Sequence, residues 1–255
     1  MVVGALFSGA LVGAIRTSLT PDPFAGDLQW TAWQTLFGDP SFGAAVVFTI
    51  GVTVAATLVS ALLAIPVAAA LRDTAWARTF ATLPVLVPHL LVAVVAVLWI
   101  GPGGLADRLI GGMPIEVVRA RSGLGIVIVY VAKEVPFLAL LLLAHWGDVL
   151  RDREEAAAVH GAGALARFRH MVVPGLRSPL AIGSLLVAAF VAGSFEVPML
   201  VGPTHPDTIA TYALRATRVA DLQGQAIAAA ALLVASGLVV AITVPAAWLV
   251  GRRRG

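Results

Sequence analysis

Cysteine is missing from the 255 residues, and only 12% of them carry charge. The first absence removes disulfide frameworks, thiolate metal sites and cysteine nucleophiles from consideration. The second, beside a hydrophobic fraction of 59% and a mean hydropathy of +0.94, departs from the balance of a soluble globular domain and marks a membrane protein. Motifs that carry chemistry are lacking too. There is no G-x-x-x-x-G-K-[ST] loop to cradle a nucleotide phosphate, no H-E-x-x-H zinc helix and no G-x-S-x-G elbow. His89, His145, His160, His170 and His205 are dispersed without metal-ligand spacing. No catalytic residue, metal or cofactor is therefore expected. The net charge of +3 carries no implication of nucleic-acid binding, since in a membrane chain the placement of basic residues matters more than their sum.

What the chain does have is apolar length. Six segments are candidates for helices against the roughly 20 residues that cross a bilayer: Val2 to Ile15, Gly43 to Leu71, Phe80 to Ile100, Gly123 to Trp146, Leu180 to Val201 and Ala226 to Val250. The first is short. It lacks a basic n-region and a clear cleavage site, so it reads as a first helix, short in itself or begun at a late start codon, rather than a signal peptide. Between the segments, "TPDPFAGD", "GPGG" and "GPTHPDT" are turn-forming. Pro66, Pro84, Pro88, Pro136, Pro198 and Pro245 fall within or at the ends of helices. Each removes a backbone donor and favours a kink, although proline is also simply commoner in membrane helices.

Basic residues orient the six helices. With a cytoplasmic N-terminus, ten arginines lie inside (Arg72, Arg78, Arg151, Arg153, Arg167, Arg169, Arg177 and Arg252 to Arg254) against six outside (Arg16, Arg108, Arg119, Arg121, Arg215 and Arg218). This bias favours both termini in the cytoplasm. Trp30, Trp33, Trp76, Trp99, Trp146 and Trp248 fall near predicted helix ends, where an amphipathic ring suits the headgroup level. The expectation is an all-α integral membrane protein, one transmembrane domain over residues 1–255 with about six helices.

One polar stretch interrupts the apolar pattern. "EEAAAVHGAGALARFRHMVVPGL", Glu154 to Leu176, lies in the loop 147–179 between the fourth and fifth helices, on the cytoplasmic side of this topology. "DREEAAAVHG" has helix formers and acids and stops at a glycine, which reads as a short helix. "ALARFRHMVV" has Leu165, Phe168, Met171 and Val172 at helical spacing, and Pro174 is expected to end it. Within the stretch, "GAGALA" spells a dinucleotide fingerprint, but no strand precedes it and no βαβ unit surrounds it. An ordinary basic amphipathic segment on the membrane surface is the plain alternative for the whole loop.

The order Glu155-Ala156-Ala157, three residues, Gly161, nine residues, then Met171, any residue, Val173 and Pro174 resembles the EAA loop of binding-protein-dependent ABC importer permeases. The usual Ile and Leu are replaced by Met171 and Val173, a conservative change in volume. The resemblance extends over nearly the whole chain and implies the MetI-like permease fold. It implies that the loop forms coupling helices docking on a separate cytoplasmic ATPase dimer, with Glu155 in polar contact and Gly161 at the turn. It further implies a second permease subunit, identical or related, an extracytoplasmic solute-binding protein, and alternating access in a bacterial or archaeal cytoplasmic membrane, with ATP hydrolysed by the partner rather than by this chain.

Polar residues inside the helices are a second source of function. His89, Lys133 and Glu134 lie near mid-membrane by residue count, Tyr130 one turn from them, and Glu196 in the outer third. A charge at the bilayer centre costs about 2.5–3.5 kcal/mol on insertion scales, so these groups should face a cavity, a partner or each other. Lys133 and Glu134 are adjacent in sequence, about 100° apart on a helix, and each needs a partner of its own. They are candidates for lining a translocation path or gate; equally, they can pair across helices to satisfy the fold. An ion-coupled secondary transporter would also use such residues, but six helices show no convincing inverted repeat and that reading leaves the polar loop unexplained. A membrane-embedded enzyme has less behind it. For the solute, "SFEVPMLVG" resembles the fifth helix of permeases for polyamines, iron(III), thiamine and sulfate more than that of sugar permeases.

Overall fold

The computed structural model describes residues 2–20, 27–112, 115–218 and 222–252. The part of "TPDPFAGD" at 21–26, the arginines 253 and 254, and the side chains of Arg78, Arg151, Pro245 and Trp248 lie outside what is described. Among the described residues, thirteen α-helices and one π segment follow one another, with no strand. They are α1 (Val2–Leu19), α2 (Thr31–Gly38), α3 (Pro40–Leu71), α4 (Ala75–Leu86), α5 (His89–Ile100), α6 (Leu105–Ile110), α7 (Leu124–His145), α8 (Asp148–Val159), α9 (Ala164–Arg167), α10 (Val173–Gly193), α11 (Glu196–Val201), α12 (Ile209–Thr217) and α13 (Leu222–Arg252), with the π segment Phe168–Val172 joining α9 to α10. Five stretches among the described residues are long and apolar enough to cross a membrane: Pro40–Leu71, His89–Ile110, Leu124–His145, Ala164–Gly193 and Leu222–Val244. The chain is an all-helical, multi-pass membrane protein.

α3 and α7 form the central pair, and α10 packs on both of them and on α13. The seam of α3 is built from small residues about four apart, Ala45, Thr49, Thr53, Ala56, Ser60, Ala64 and Ala68, all buried. Small side chains let helix backbones approach where lipid supplies no hydrophobic drive between helices. On the outer surface of α3, Val47, Leu58 and Leu62 are exposed, as a lipid- or subunit-facing side requires. Larger apolar groups, Ile126, Leu138, Leu142 and Leu176, fill the centre. A second cluster joins α2, the start of α3, α12 and α13 through Leu36, Phe42, Ile209, Tyr212 and Ala231. There, Asp39 caps α3 by accepting from the Ser41 amide (2.8 Å) and the Tyr212 hydroxyl (2.8 Å). Burial and the bond to Asp39 push the Tyr212 phenol up to about 12.

Two predicted helices are each broken in two. The segment from Phe80 to Ile100 becomes α4 and α5, separated by Val87 and Pro88 in extended conformation. In a continuous helix the amide of residue 88 would bond the Pro84 carbonyl; proline has none, and its ring disfavours helical geometry at Val87. The segment from Leu180 to Val201 ends at Gly193 and restarts at Glu196. Pro198 would have bonded Ser194 in an unbroken helix, whereas as the third residue of α11 it gives up an amide that has no intrahelical partner anyway. Pro66, Pro136 and Pro179, by contrast, sit inside α3, α7 and α10 without interrupting them.

Pro174 does not terminate a helix. The chain runs helically from Ala164 to Gly193, and Pro174 occupies the first turn of α10. The π segment ahead of it bonds Val173 N to Phe168 O, a widened turn of the kind that makes room where a proline ring would strike the carbonyl four residues back. Leu165, expected on the packed face, is exposed, while Phe168 and Met171 are half-buried and Val172 is fully buried. Trp146, at the end of α7, is buried against the protein.

Gly125 marks the closest backbone approach at the start of α7. A Cβ there would lie 2.7 Å from the Val117 carbonyl oxygen and 3.1 Å from that of Val201. Gly125→Ala should therefore lower the thermal unfolding temperature of the purified protein, at a cost of about 1–3 kcal/mol. Gly43→Ala, where a Cβ meets nothing within 4 Å, should leave it unchanged or raise it through helix propensity.

Candidate functional site

α7 carries the intramembrane cluster. Tyr130, Lys133 and Glu134 are spaced i, i+3 and i+4, so they share one side of the helix, and all three are buried. The Lys133 ammonium donates to the carbonyls of Pro84, Val85 (3.2 Å) and Val87. These carbonyls end α4, and that of Pro84 is the one Pro88 deprives of its partner. An ammonium has three donors, and all three are engaged. Glu134 Oε1 accepts from His89 Nε2 at 2.9 Å, so the neighbouring residue on α7 holds the first residue of α5. One turn of α7 thus fastens both sides of the interruption.

The aromatic rings continue the cluster toward the second break. His89 lies 4.5 Å from Phe190 between ring centroids, and Tyr130 meets Phe190 edge-on at 6.3 Å. The Tyr130 hydroxyl is buried beside Ser194, short of a well-formed hydrogen bond. A cavity of about 250 Å³ opens here, lined by His89, Lys133 and Glu134 together with Val85, Phe137, Leu186, Val187 and Phe190. Of the predicted group, the structure brings together His89, Tyr130, Lys133 and Glu134. Glu196 stands apart in the first turn of α11, where a carboxylate suits the positive end of the helix dipole. Lys133 caps the end of α4 with its three protons on backbone carbonyls, and with His89 and Glu134 it also has an edge on the cavity.

The polar stretch forms a projection at the end of α7 opposite Leu124. α8 and α9 meet at Gly161, whose φ of +82° is left-handed, a conformation glycine adopts without a Cβ clash. Arg167 Nη1 closes the turn on the Ala162 carbonyl at 2.5 Å. Glu155 and Ala156 are exposed and Ala157 is half-buried; Val159 and Leu165 lie 85% and 79% open, an apolar pair left uncovered at the tip. Met171 and Val173 are half-buried and Pro174 is exposed, all below the projection rather than on it. "GAGALA" lies between two helices with no strand ahead of it, which disposes of the dinucleotide spelling.

The glutamate that sequence reasoning passed over is Glu154. Its carboxylate accepts from Arg72 Nη1 (2.8 Å) and from Trp146 Nε1 (2.9 Å), and the Arg72 guanidinium lies 5.1 Å over the Trp146 ring. Hydrogen bonding to Glu154 holds Arg72 above its ordinary value. The "EE" pair therefore divides its work: Glu154 ties α8 to the ends of α3 and α7, which leaves Glu155 pointing outward. A basic residue at the end of α3 and a tryptophan at the end of α7 were the available signals.

No family model matches the chain. It is 29% identical over 214 residues, 81% of its length, to the inner membrane ABC transporter permease protein YnjC of Escherichia coli, covering 40% of that protein. It is 26% identical over 159 residues to the trehalose transport system permease protein SugA of Mycobacterium tuberculosis, covering 60% of this chain and 52% of that one. The chain thus spans about half the length of these relatives or less. Among solved structures, it superimposes with a TM-score of 0.74 and 17% identity on a chain of a bacterial alginate ABC transporter in complex with an alginate-bound periplasmic protein, covering 96% of this chain and 92% of the other. A second structure of a bacterial alginate-importing ABC transporter gives 0.73 and 18%. The resemblance carried by Glu155, Gly161 and Pro174 therefore extends to the helical framework: the fold is that of ABC importer permeases. The solutes that these names mention, trehalose and alginate, are sugars, unlike the classes that "SFEVPMLVG" suggests.

The bond from His89 to Glu134 can be tested by substitution at 134. Glu134→Gln keeps an acceptor for His89 and should change the unfolding temperature little, whereas Glu134→Leu strands the imidazole and should cost about 1–3 kcal/mol. Thermal unfolding of the two variants in one detergent measures the difference.

Proposed function

We propose that the chain is the membrane-spanning permease subunit of an ATP-driven ABC importer in a bacterial or archaeal cytoplasmic membrane. In this reading both termini and the α8–α9 projection face the cytoplasm. The projection docks on a separate ATPase dimer, and the permease pairs with an identical or related subunit. A small solute arrives from an extracytoplasmic binding protein and passes by alternating access. The observation that carries the reading is the projection itself: a helical pair turned at Gly161, fastened from within by Glu154, with Glu155, Val159 and Leu165 left uncovered. An apolar tip on a braced helical pair suits a surface that a partner protein covers.

Bracing also explains how force would reach the membrane helices. Glu154 links α8 through Arg72 to the end of α3 and through Trp146 to the end of α7, the central helix pair. α9 runs through the π segment into α10 without a break. A push on the projection would be delivered to three spanning helices at once. The cavity beside His89 and Glu134 lies among α5, α7 and α10 and would change shape with them, so it is the candidate stretch of the solute path; His89, Lys133 and Glu134 are its polar groups, with Tyr130 packed beside them and Glu196 a further candidate at the start of α11.

Co-expression with a candidate ABC ATPase from the same genome tests the docking surface. Glu155→Lys should abolish co-purification of the ATPase while the unfolding temperature stays unchanged, and Glu154→Ala should instead lower that temperature, by about 1–3 kcal/mol for its two lost bonds. At Gly161 a Cβ has open space, so only backbone strain discriminates: Gly161→Asn should retain the complex and Gly161→Val should lose it. Full assembly and coupled ATP hydrolysis in both Glu155→Lys and Gly161→Val would refute the docking role.

A further inference from the structure

At the end of the molecule opposite the projection, the loop before α7 and the loop after α11 enclose a cleft of about 610 Å³. Its walls present Arg119, Arg121, Ser122, Thr204 and His205, with Glu116 the one acid among the described lining residues. The loop alternates: Val118 and Ala120 are buried, Arg119 and Arg121 are exposed. The Arg119 amide donates to the Val201 carbonyl at 2.8 Å, which pins this loop to the end of α11. Both guanidinium groups lack a hydrogen bond or ion pair to any described residue, in contrast to Arg108 and Arg215 on the same side, which are bonded to Gly103 O and to Asp207.

Arg119 is the decisive residue. Its φ is +64°, the only positive value at a non-glycine among the described residues. A left-handed arginine costs on the order of 1–2 kcal/mol, and glycine or asparagine would hold the same backbone more cheaply. Nothing that its side chain touches in the fold offsets that cost. The strained backbone holds Arg119 at the cleft that Arg121 also lines, and α7, 22 residues long, begins with the positive end of its dipole shortly beyond Arg121. Ser122 Oγ accepts weakly from the Leu124 amide at 3.4 Å, so its proton remains available to donate. Two forked donors, two hydroxyls and an imidazole match a carboxylate, sulfate or phosphate group. The volume is that of a small-molecule site; a protein partner would need a broader surface. Glu116 suits a ligand that also presents a hydroxyl.

We propose that this cleft binds small oxyanions, and that the solute admitted at this mouth is an anion; the second statement rests on the permease reading, the first does not. The test is titration of the purified full-length protein with sulfate, inorganic phosphate and citrate, with glucose as a neutral control, by isothermal calorimetry at low ionic strength. Saturable binding of at least one oxyanion and none of glucose is expected. Arg119→Asn/Arg121→Ala should weaken that binding by on the order of tenfold or more, and Arg218→Ala, exposed elsewhere on this side, should not. Absence of saturable binding, or equal weakening by Arg218→Ala, overturns the proposal. So does a protein that binds no oxyanion but loses an extracytoplasmic binding protein in the double variant, which would make the cleft a docking surface. ATPase co-purification followed on the same samples keeps the two readings apart: a retained ATPase with no anion binding defeats this inference alone, while anion binding without any ATPase partner defeats only the permease reading and the transport clause that depends on it.

Discussion

Inside a bilayer an unpaired backbone carbonyl has no water to turn to; at the end of α4 the helix stops, and Pro88 in particular deprives the Pro84 carbonyl of its partner. Lys133 answers that deficit from α7, with three protons for the carbonyls of Pro84, Val85 and Val87. Much else depends on this arrangement. It fixes α4 against α7, it brings His89 to Glu134 by anchoring the residue next to it, and it leaves the cavity beside Phe190 with a polar floor. A charged residue at mid-membrane, which would ordinarily be a cost, becomes the piece that makes an interrupted helix tolerable.

The same economy of neighbours recurs at the polar end. Glu154 and Glu155 are adjacent, one turned inward to Arg72 and Trp146 and the other outward. Lys133 and Glu134 are adjacent on α7, one serving α4 and the other α5. In both places a pair of consecutive residues about 100° apart on a helix addresses two different elements, so that a single helix sets the geometry of two neighbours. The result is a rigid framework between the α8–α9 projection and the helix interruptions, which is the mechanical property a coupled transporter would need.

Much of this was legible in the sequence. Apolar runs located α3, α7 and α13; the spacing from Glu155 to Pro174 pointed to the fold; and the adjacency of Lys133 and Glu134 required separate partners, which the structure supplies. The breaks were harder to read because prolines at 66, 136 and 179 leave helices intact while those at 88 and 198 do not. The difference lies in context that a linear pattern understates: Pro88 follows Pro84 by one turn, Pro198 follows a Gly-Ser pair, and a donor from another helix stands ready at the first. Glu154 was hidden by its own neighbour, and its partners, Arg72 and Trp146, are far away in sequence or assigned to the headgroups by type. Arg119 could not have been singled out, since a left-handed backbone at an arginine leaves no mark in the sequence.

The central claim is that Lys133 satisfies the carbonyls left open at the end of α4, that of Pro84 because Pro88 has no amide for it. A double-mutant cycle in unfolding free energy over Lys133→Met and Pro88→Ala tests it directly, because an alanine at 88 restores an amide for the Pro84 carbonyl. The account predicts that Lys133→Met costs about 1–3 kcal/mol in the wild-type background and clearly less in the Pro88→Ala background. Equal costs in the two backgrounds would mean that the lysine and the proline act independently, and would contradict it.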